Sequence, residues 1–318
     1  MKKKIVLIML AALLGLAGCG NKERQENQEA YRQIGLNCMA DEDYAGAIEA
    51  FDSALGQSLA TIDEEELDIC YYKAEAQYKA GKTDDAIETY TDLLAYDKKN
   101  SDAYYLRGSL YLVQGEKKQA LKDFASAVKY DSDNYELYAE ISQQLSDNDE
   151  KDKASDYLKQ ALDISGKSAE DYTWRGRIYL MTEDYDKAKE QLEKAIDKDS
   201  EDAQLYMGQL YEAQGDDDKA EGCYESYVKN NADNPEVLES LALLAMDKEN
   251  YDKAISYLEM ALKIKDPENE QSLKQNLILA YEYSGDFASA KKEMESYLKD
   301  YPKDEKAQRE YEFLQTRS

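Results

Sequence analysis

The chain has 318 residues, and its 68 acidic side chains outnumber its 40 basic ones, which gives a net charge of −28 at pH 7. This charge argues against nucleic acid or an anionic membrane surface as a partner, because both would repel the chain, and it permits a basic partner. The chain contains no histidine, so it lacks the commonest general base and the commonest metal ligand. The sequence also has no glycine-rich phosphate loop and no nucleophile motif, and we expect neither an enzyme nor a cofactor.

The chain begins with a short apolar segment behind a positively charged end. Lysines occupy residues 2–4, and an apolar run of about a dozen residues follows at 5–16. This run is shorter than the ~20 residues that a membrane-spanning helix needs, and it is typical of a secretory signal. Residues 16–19 have the sequence Leu-Ala-Gly-Cys, which resembles the lipobox of bacterial lipoproteins.

The resemblance to bacterial lipoproteins implies that residues 1–18 are a cleaved signal peptide and that Cys19 carries lipid. Acyl chains such as palmitate would anchor the protein stably, because two or more chains exceed the weak binding of one. Residues 19–27 are predicted to form a tether or an early helical extension. We therefore expect a lipid-anchored protein on the extracytoplasmic face of a bacterial cell membrane. An ordinary signal peptide with an incidental cysteine is the alternative.

Eight alanines recur through the rest of the chain at intervals of about 34 residues. They are Ala47, Ala86, Ala120, Ala154, Ala188, Ala220, Ala254 and Ala290. This period is typical of a solenoid of helical hairpins, in which each unit buries its apolar faces only against its neighbours. A small residue stands twelve positions before most of these alanines, and a large apolar residue stands four positions after each. In the repeat family that this pattern resembles, the two helices of a hairpin cross closely at the small residue.

Aligned on those alanines, residues 28–302 resemble the tetratricopeptide repeat family, most clearly in the unit at residues 101–134. The resemblance implies an all-α fold, a right-handed superhelical solenoid of about eight helix–turn–helix units. Residues 303–318 are predicted to form a polar-faced helix that caps the last unit, because a solenoid must shield its final apolar face from water.

Glycines mark the turn inside four of the predicted hairpins, where a positive φ would end the first helix. They are Gly81, Gly115, Gly215 and Gly285. The fourth unit is the least regular, since it has no such glycine at residues 145–149. Exposure of Ala154 to solvent would therefore show that the alignment of this unit is wrong.

No metal site is predicted. The spacing of Cys38, Cys70 and Cys223 matches no metal or disulfide framework, and we expect buried thiols. Residues 131–134 superficially resemble the start of a calcium loop, but the glycine and glutamate that such a loop needs further on are missing.

The family resemblance also implies a place for a partner, a concave groove lined by the second, fifth, ninth, twelfth and thirteenth positions of each unit. On this chain those positions hold aromatic, aliphatic and cationic candidates: Tyr71, Tyr78, Tyr105, Leu112, Val113, Arg177, Leu180 and Met181. Carboxylates surround them, so the groove suits a peptide with apolar anchors and basic flanks. The basic clamp with which chaperone-binding members hold a C-terminal carboxylate is missing. The alternative is that the tyrosines only seal neighbouring repeats.

These features predict a membrane-anchored, extracytoplasmic scaffold that binds protein or peptide partners in envelope assembly or secretion. The alternative is a ligand-capturing lipoprotein associated with a transporter, although the sequence shows neither a two-lobed α/β pattern nor a closed pocket. A separate catalytic domain is not expected, because the repeats occupy nearly all of the chain after the signal segment.

Overall fold

The computed structural model describes residues 21–57, 64–265 and 267–317. Within these ranges every regular element is an α-helix, which confirms the all-α fold class. The predicted signal peptide and Cys19 lie outside the described residues. Residues 21–27, for which the sequence predicts a tether or a helical extension, belong to the first helix. None of the described helices combines the length and the apolarity that crossing a bilayer requires.

The chain divides into two compact units, residues 1–161 and 162–318. The described part of the first unit consists of helices that pair in sequence order into hairpins. These helices are α1 Asn21–Ala40, α2 Tyr44–Leu55, α3 Glu64–Lys79, α4 Thr83–Tyr96, α5 Ser101–Val113, α6 Lys117–Tyr130, α7 Tyr135–Asp147 and α8 Lys151–Leu162.

The second unit repeats the same hairpin and adds one helix at its end. Its described helices are α9 Ala169–Met181, α10 Tyr185–Ile196, α11 Asp202–Ala213, α12 Asp217–Val228, α13 Pro235–Asp247, α14 Tyr251–Ala261, α15 Glu270–Ser284, α16 Phe287–Asp300 and α17 Glu305–Gln315. Helix α17 buries Ala307 and Leu314 against a core that includes Ile278, Met294 and Tyr297. The predicted capping helix is therefore present and packed.

The repeat alanines lie on the second helix of each hairpin, and all eight are buried, Ala154 being the most exposed at 5 %. The alignment of the fourth unit is thus confirmed. The small residue on the first helix marks a close crossing: a Cβ placed on Gly108 would lie 2.7 Å from Phe124 Cε1, and one on Gly208 would overlap the ring of Tyr224. Real Cβ atoms do not approach so closely, so the predicted close crossing is confirmed.

The turn between the two helices of a hairpin places one residue in the left-handed region, as predicted for glycine. Gly115 has φ 77°, and the next residue, Glu116, donates its N–H to the Tyr111 carbonyl at 2.8 Å, which closes the end of α5. Four other hairpins build the same turn without glycine. Their left-handed residues are Glu42, Asp149, Glu183 and Glu249, with φ between 57° and 62°.

Candidate partner-binding cavity

In the first unit, helices α3 and α5 border a cavity of about 660 Å³. Most of its lining comes from the repeat positions that the family resemblance assigns to a groove. These residues are Asp68, Tyr71, Glu75, Tyr78, Asp102, Tyr105, Ser109 and Val113. The same repeat positions on the first helices of two successive hairpins therefore line one cavity.

The structure brings together four of the five residues predicted for this groove. Tyr71, Tyr78, Tyr105 and Val113 line the cavity. Leu112 does not, and its predicted placement is corrected: its side chain is 5 % exposed and lies in the core. Leu112 is turned about 100° around the helix from Val113, and this rotation directs its side chain into the core.

Sequence reasoning missed the sixth position of the repeat. Tyr72, Leu106 and Glu140 occupy this position in three successive repeats, and all three line the cavity. The sixth position lies four residues after the second and three before the ninth, which places it on the same face of the first helix. Helical periodicity alone could have found it.

The predicted residues of the second unit, Arg177, Leu180 and Met181, lie on α9. The Arg177 guanidinium lies over the rings of Trp174 at 4.6 Å and Tyr206 at 5.4 Å. Leu180 packs against the core of this unit, and Met181 is exposed. A cavity of about 370 Å³ is lined by Trp174 and Tyr206, again sixth positions, but by none of the three predicted residues.

Internal hydrogen bonds hold the tyrosines of the larger cavity in place. The Tyr71 hydroxyl donates to Asn100 Oδ1 at 2.6 Å, and the Tyr105 hydroxyl accepts from Gln144 Nε2 at 2.6 Å while it pairs with the Glu140 carboxylate. Burial raises the pKa of each phenol to about 12, with further contributions from Asp102 on Tyr71 and from Glu140 on Tyr105. Both side chains are therefore neutral at physiological pH.

The same rings also contribute to the packing of their own hairpins. The ring of Tyr71 lies 6.0 Å from that of Tyr90, and the ring of Tyr105 lies 6.1 Å from that of Phe124. Tyr71 and Tyr105 are half-buried. They seal the hairpins and face the cavity at once, so the two interpretations of the tyrosines are compatible.

The comparisons with known proteins agree with this architecture. Tetratricopeptide repeat models match residues 71–136, 179–244, 235–267 and 276–304, which together exceed half of the chain. The chain belongs to the tetratricopeptide repeat family. Proteins of this family are generally non-enzymatic scaffolds for protein–protein interaction.

Solved structures resemble this tetratricopeptide repeat chain over most of its length. A tetratricopeptide repeat protein from Parabacteroides merdae is 17 % identical, with a TM-score of 0.52, and the match covers 80 % of this chain and 99 % of that one. Yeast Tom70 is 18 % identical, with a TM-score of 0.61, and the match covers 84 % and 55 % of the two chains. At these identities the likeness shows the fold alone. No curated protein matches the chain significantly.

The charge of the cavity sets its chemistry apart from that of a carboxylate clamp. Its lining includes no lysine and no arginine, but it includes four carboxylates. Two of them are paired from outside the lining: Asp68 accepts from Arg32 Nε at 2.9 Å, and the Glu75 carboxylate lies 2.9 Å from Lys79 Nζ. Asp102 and Glu140 form no ion pair with any lysine or arginine of the described residues.

No cysteine of the described residues belongs to a group that could hold a metal ion. Cys38, Cys70 and Cys223, which the sequence predicts to be buried thiols, are partly buried, and burial raises the pKa of Cys70 and Cys223. Over the described ranges, no group of three or more cysteine or acidic side chains is placed to hold a metal ion.

Proposed function

We propose that this tetratricopeptide repeat protein is a lipid-anchored scaffold outside the bacterial cytoplasmic membrane. It holds a protein or peptide partner in the cavity of the first unit during envelope assembly or secretion. The observation that carries this proposal is the cavity itself, in which the groove positions of successive repeats meet around aromatic side chains.

The size of the cavity supports a peptide as the occupant. Fully burying one large apolar side chain is worth ~1.5–3 kcal/mol, and a dissociation constant of 1 µM needs ~8 kcal/mol. Several apolar anchors must therefore be bound together. A cavity of about 660 Å³ with walls from α3 and α5 has room for more than one such side chain, and tyrosines bury much area at a low entropic cost.

Photo-crosslinking in living cells tests the binding surface. A photoreactive amino acid at Val113 or Tyr78, both exposed and both at the cavity, should give a discrete adduct with one partner. Lys122, exposed on the second helix of the same hairpin, is the matched control. Adducts of equal yield at Lys122, or none at the two cavity positions, would contradict the proposal.

The sequence of residues 1–19 supports the anchor, and substitution tests it. Cys19→Ser should abolish labelling with radioactive palmitate and move the protein from the membrane fraction to the soluble fraction. Cys223→Ser, which leaves the lipobox intact, should change neither. Membrane retention of the Cys19→Ser protein without label would contradict lipid anchoring.

A further inference from the structure

We propose that the cavity between α3 and α5 recognises the cationic side chain of a lysine or arginine within an otherwise apolar peptide segment. This inference rests on the proposed function and specifies the partner chemistry for the same site. Asp102 and Glu140 would pair with the cation, while the tyrosine walls hold its apolar neighbours.

The first argument is that two carboxylates of the cavity have no ion-pair partner among the described residues. Arg32 and Lys79, which are not part of the lining, pair with Asp68 and Glu75. Asp102 and Glu140 lie across the same cavity without an ion-pair partner of the chain's own in the described residues. A bound cation would therefore meet two available carboxylates and no competing lysine or arginine in the lining.

The second argument is the direction of the hydrogen bonds. Tyr71 donates its hydroxyl proton to Asn100, and Ser109 donates its own to the Tyr105 carbonyl at 2.9 Å. Tyr105 accepts from Gln144, so its own proton is directed to Glu140. The lone pairs of these three hydroxyl groups and of the carboxylates are what remains for a ligand. Ammonium and guanidinium groups supply donors only, and they match such a surface.

The third argument is the aromatic wall. A cation over the face of a tyrosine is attracted by the ring quadrupole, and the chain already uses this contact beside the cavity, where the Arg32 guanidinium lies 5.6 Å from the centroid of the Tyr72 ring. The hydroxyl groups of Tyr72, Tyr78 and Tyr90 can either donate or accept, so they do not exclude a cation. An acidic ligand would instead meet Asp102 and Glu140, which have no ion-pair partner among the described residues, and be repelled.

The test selects peptides from a random display library on the full chain purified in detergent. Enriched sequences should carry lysine or arginine at one fixed place between apolar residues. The best arginine-containing peptide is then synthesised beside a copy in which citrulline, an uncharged analogue of the same shape, replaces arginine. We expect the arginine peptide to bind about tenfold more tightly, and the difference to shrink as salt is added.

Variants assign this difference to the two carboxylates. Asp102→Asn with Glu140→Gln removes both charges at exposed positions and should bring the affinities of the two peptides close together. Glu88→Gln with Asp92→Asn removes the same charge from exposed positions of α4 outside the cavity, and the preference for arginine should persist.

Four results would overturn the inference, and only the last of them also overturns the proposed binding site. An enriched sequence without a fixed cation, or equal binding of the citrulline peptide, would overturn the inference and leave a peptide-binding scaffold. Enrichment of acidic residues would do the same. Val113→Trp places a larger side chain in the cavity. If every enriched peptide still binds this variant as tightly as the wild type, both the inference and the proposed binding site are wrong.

Discussion

At the scale of single residues, the hairpin turns show that the repeat fold can impose a backbone conformation against the preference of the residue. Glu183 lies between α9 and α10 at φ 60°, and its N–H donates to the Leu180 carbonyl at 3.0 Å, as in a glycine turn. A left-handed conformation costs a residue with a Cβ ~1–2 kcal/mol relative to the right-handed one. The packing of the two helices therefore compensates for a strained turn.

Glu183→Gly should relieve that strain and stabilise the hairpin by ~0.5–1 kcal/mol, because the gain exceeds the entropy that glycine loses on folding. The single tryptophan of the chain, Trp174, lies on α9 of the same hairpin, so urea unfolding followed by its fluorescence reports on this region. Glu193→Gly, an exposed position inside α10, should instead destabilise by ~1 kcal/mol. Equal effects of the two substitutions would contradict the strain argument.

At the scale of helices, one substitution is expected to act in opposite directions on the two helices of one hairpin. A Cβ on Gly208 of α11 would clash with Tyr224, whose buried ring is held by the hydrogen bond that its hydroxyl donates to Glu212 at 2.6 Å. Gly222 of α12 has open space around its Cβ direction. The same methyl group therefore meets a helix crossing in one case and solvent in the other.

Gly208→Ala should destabilise the second unit by ~0.5–2 kcal/mol, since overpacking exceeds the gain in helix propensity. Gly222→Ala should stabilise it by ~0.5–1 kcal/mol. Urea midpoints of the two variants and the wild type provide the measurement. Destabilisation by both alanines would indicate that Gly222 has a neighbour that the structure does not show.

An acidic side chain of the last helix faces another on α15. Glu282 of α15 hydrogen-bonds to Glu310 of α17, and Glu282 Oε1 is buried without a hydrogen-bond partner among the described residues. Burial first, and then the charge of Glu310, raises the pKa of Glu282 from 4.5 to about 7. The folded protein thus holds a proton that the unfolded chain releases above about pH 4.5.

Because the folded state binds the extra proton, the stability that this proton contributes is fully present below about pH 4.5. It should be lost as the pH rises through about 7. After allowance for solvent screening, we expect a loss of ~1 kcal/mol in the docking of α17. Hydrogen exchange of α17 at pH 5.5 and pH 8, corrected for the intrinsic rate, measures it. Glu282→Gln should remove the dependence, and the exposed Glu312→Gln should not. The absence of histidine leaves few other groups to titrate in this range.

At the scale of the whole molecule, the sequence predicted the elements that repeat and missed those that tertiary packing decides. The alanine period located every hairpin, since close crossings recur at one interval, and Ala154 is buried accordingly. The left-handed turn at Glu183 was missed because only glycines were taken to mark it, although Glu183 stands five positions before Ala188 as Gly115 does before Ala120. The predicted orientation of the Leu112 side chain was wrong. Its helix is apolar on two faces, and the sequence alone does not show which face packs against other helices. Glu140 was missed by relying on family positions rather than on helical periodicity.

The net charge of −28 predicts how the stability of the chain responds to salt. Two effects oppose each other: salt weakens ion pairs such as that of Lys253 with Glu225 at 2.8 Å, and it screens the repulsion among the excess carboxylates. Exposed pairs contribute only ~0–1 kcal/mol each, whereas repulsion acts over the whole surface and destabilises a compact state of large net charge.

Repulsion should dominate, so raising sodium chloride from about 0.02 M to about 0.5 M should raise the thermal midpoint. Sodium chloride is preferable to sulfate, because sulfate strengthens apolar burial independently of charge. A midpoint that falls with sodium chloride would show that the ion pairs, rather than the excess charge, determine the electrostatic balance of this scaffold.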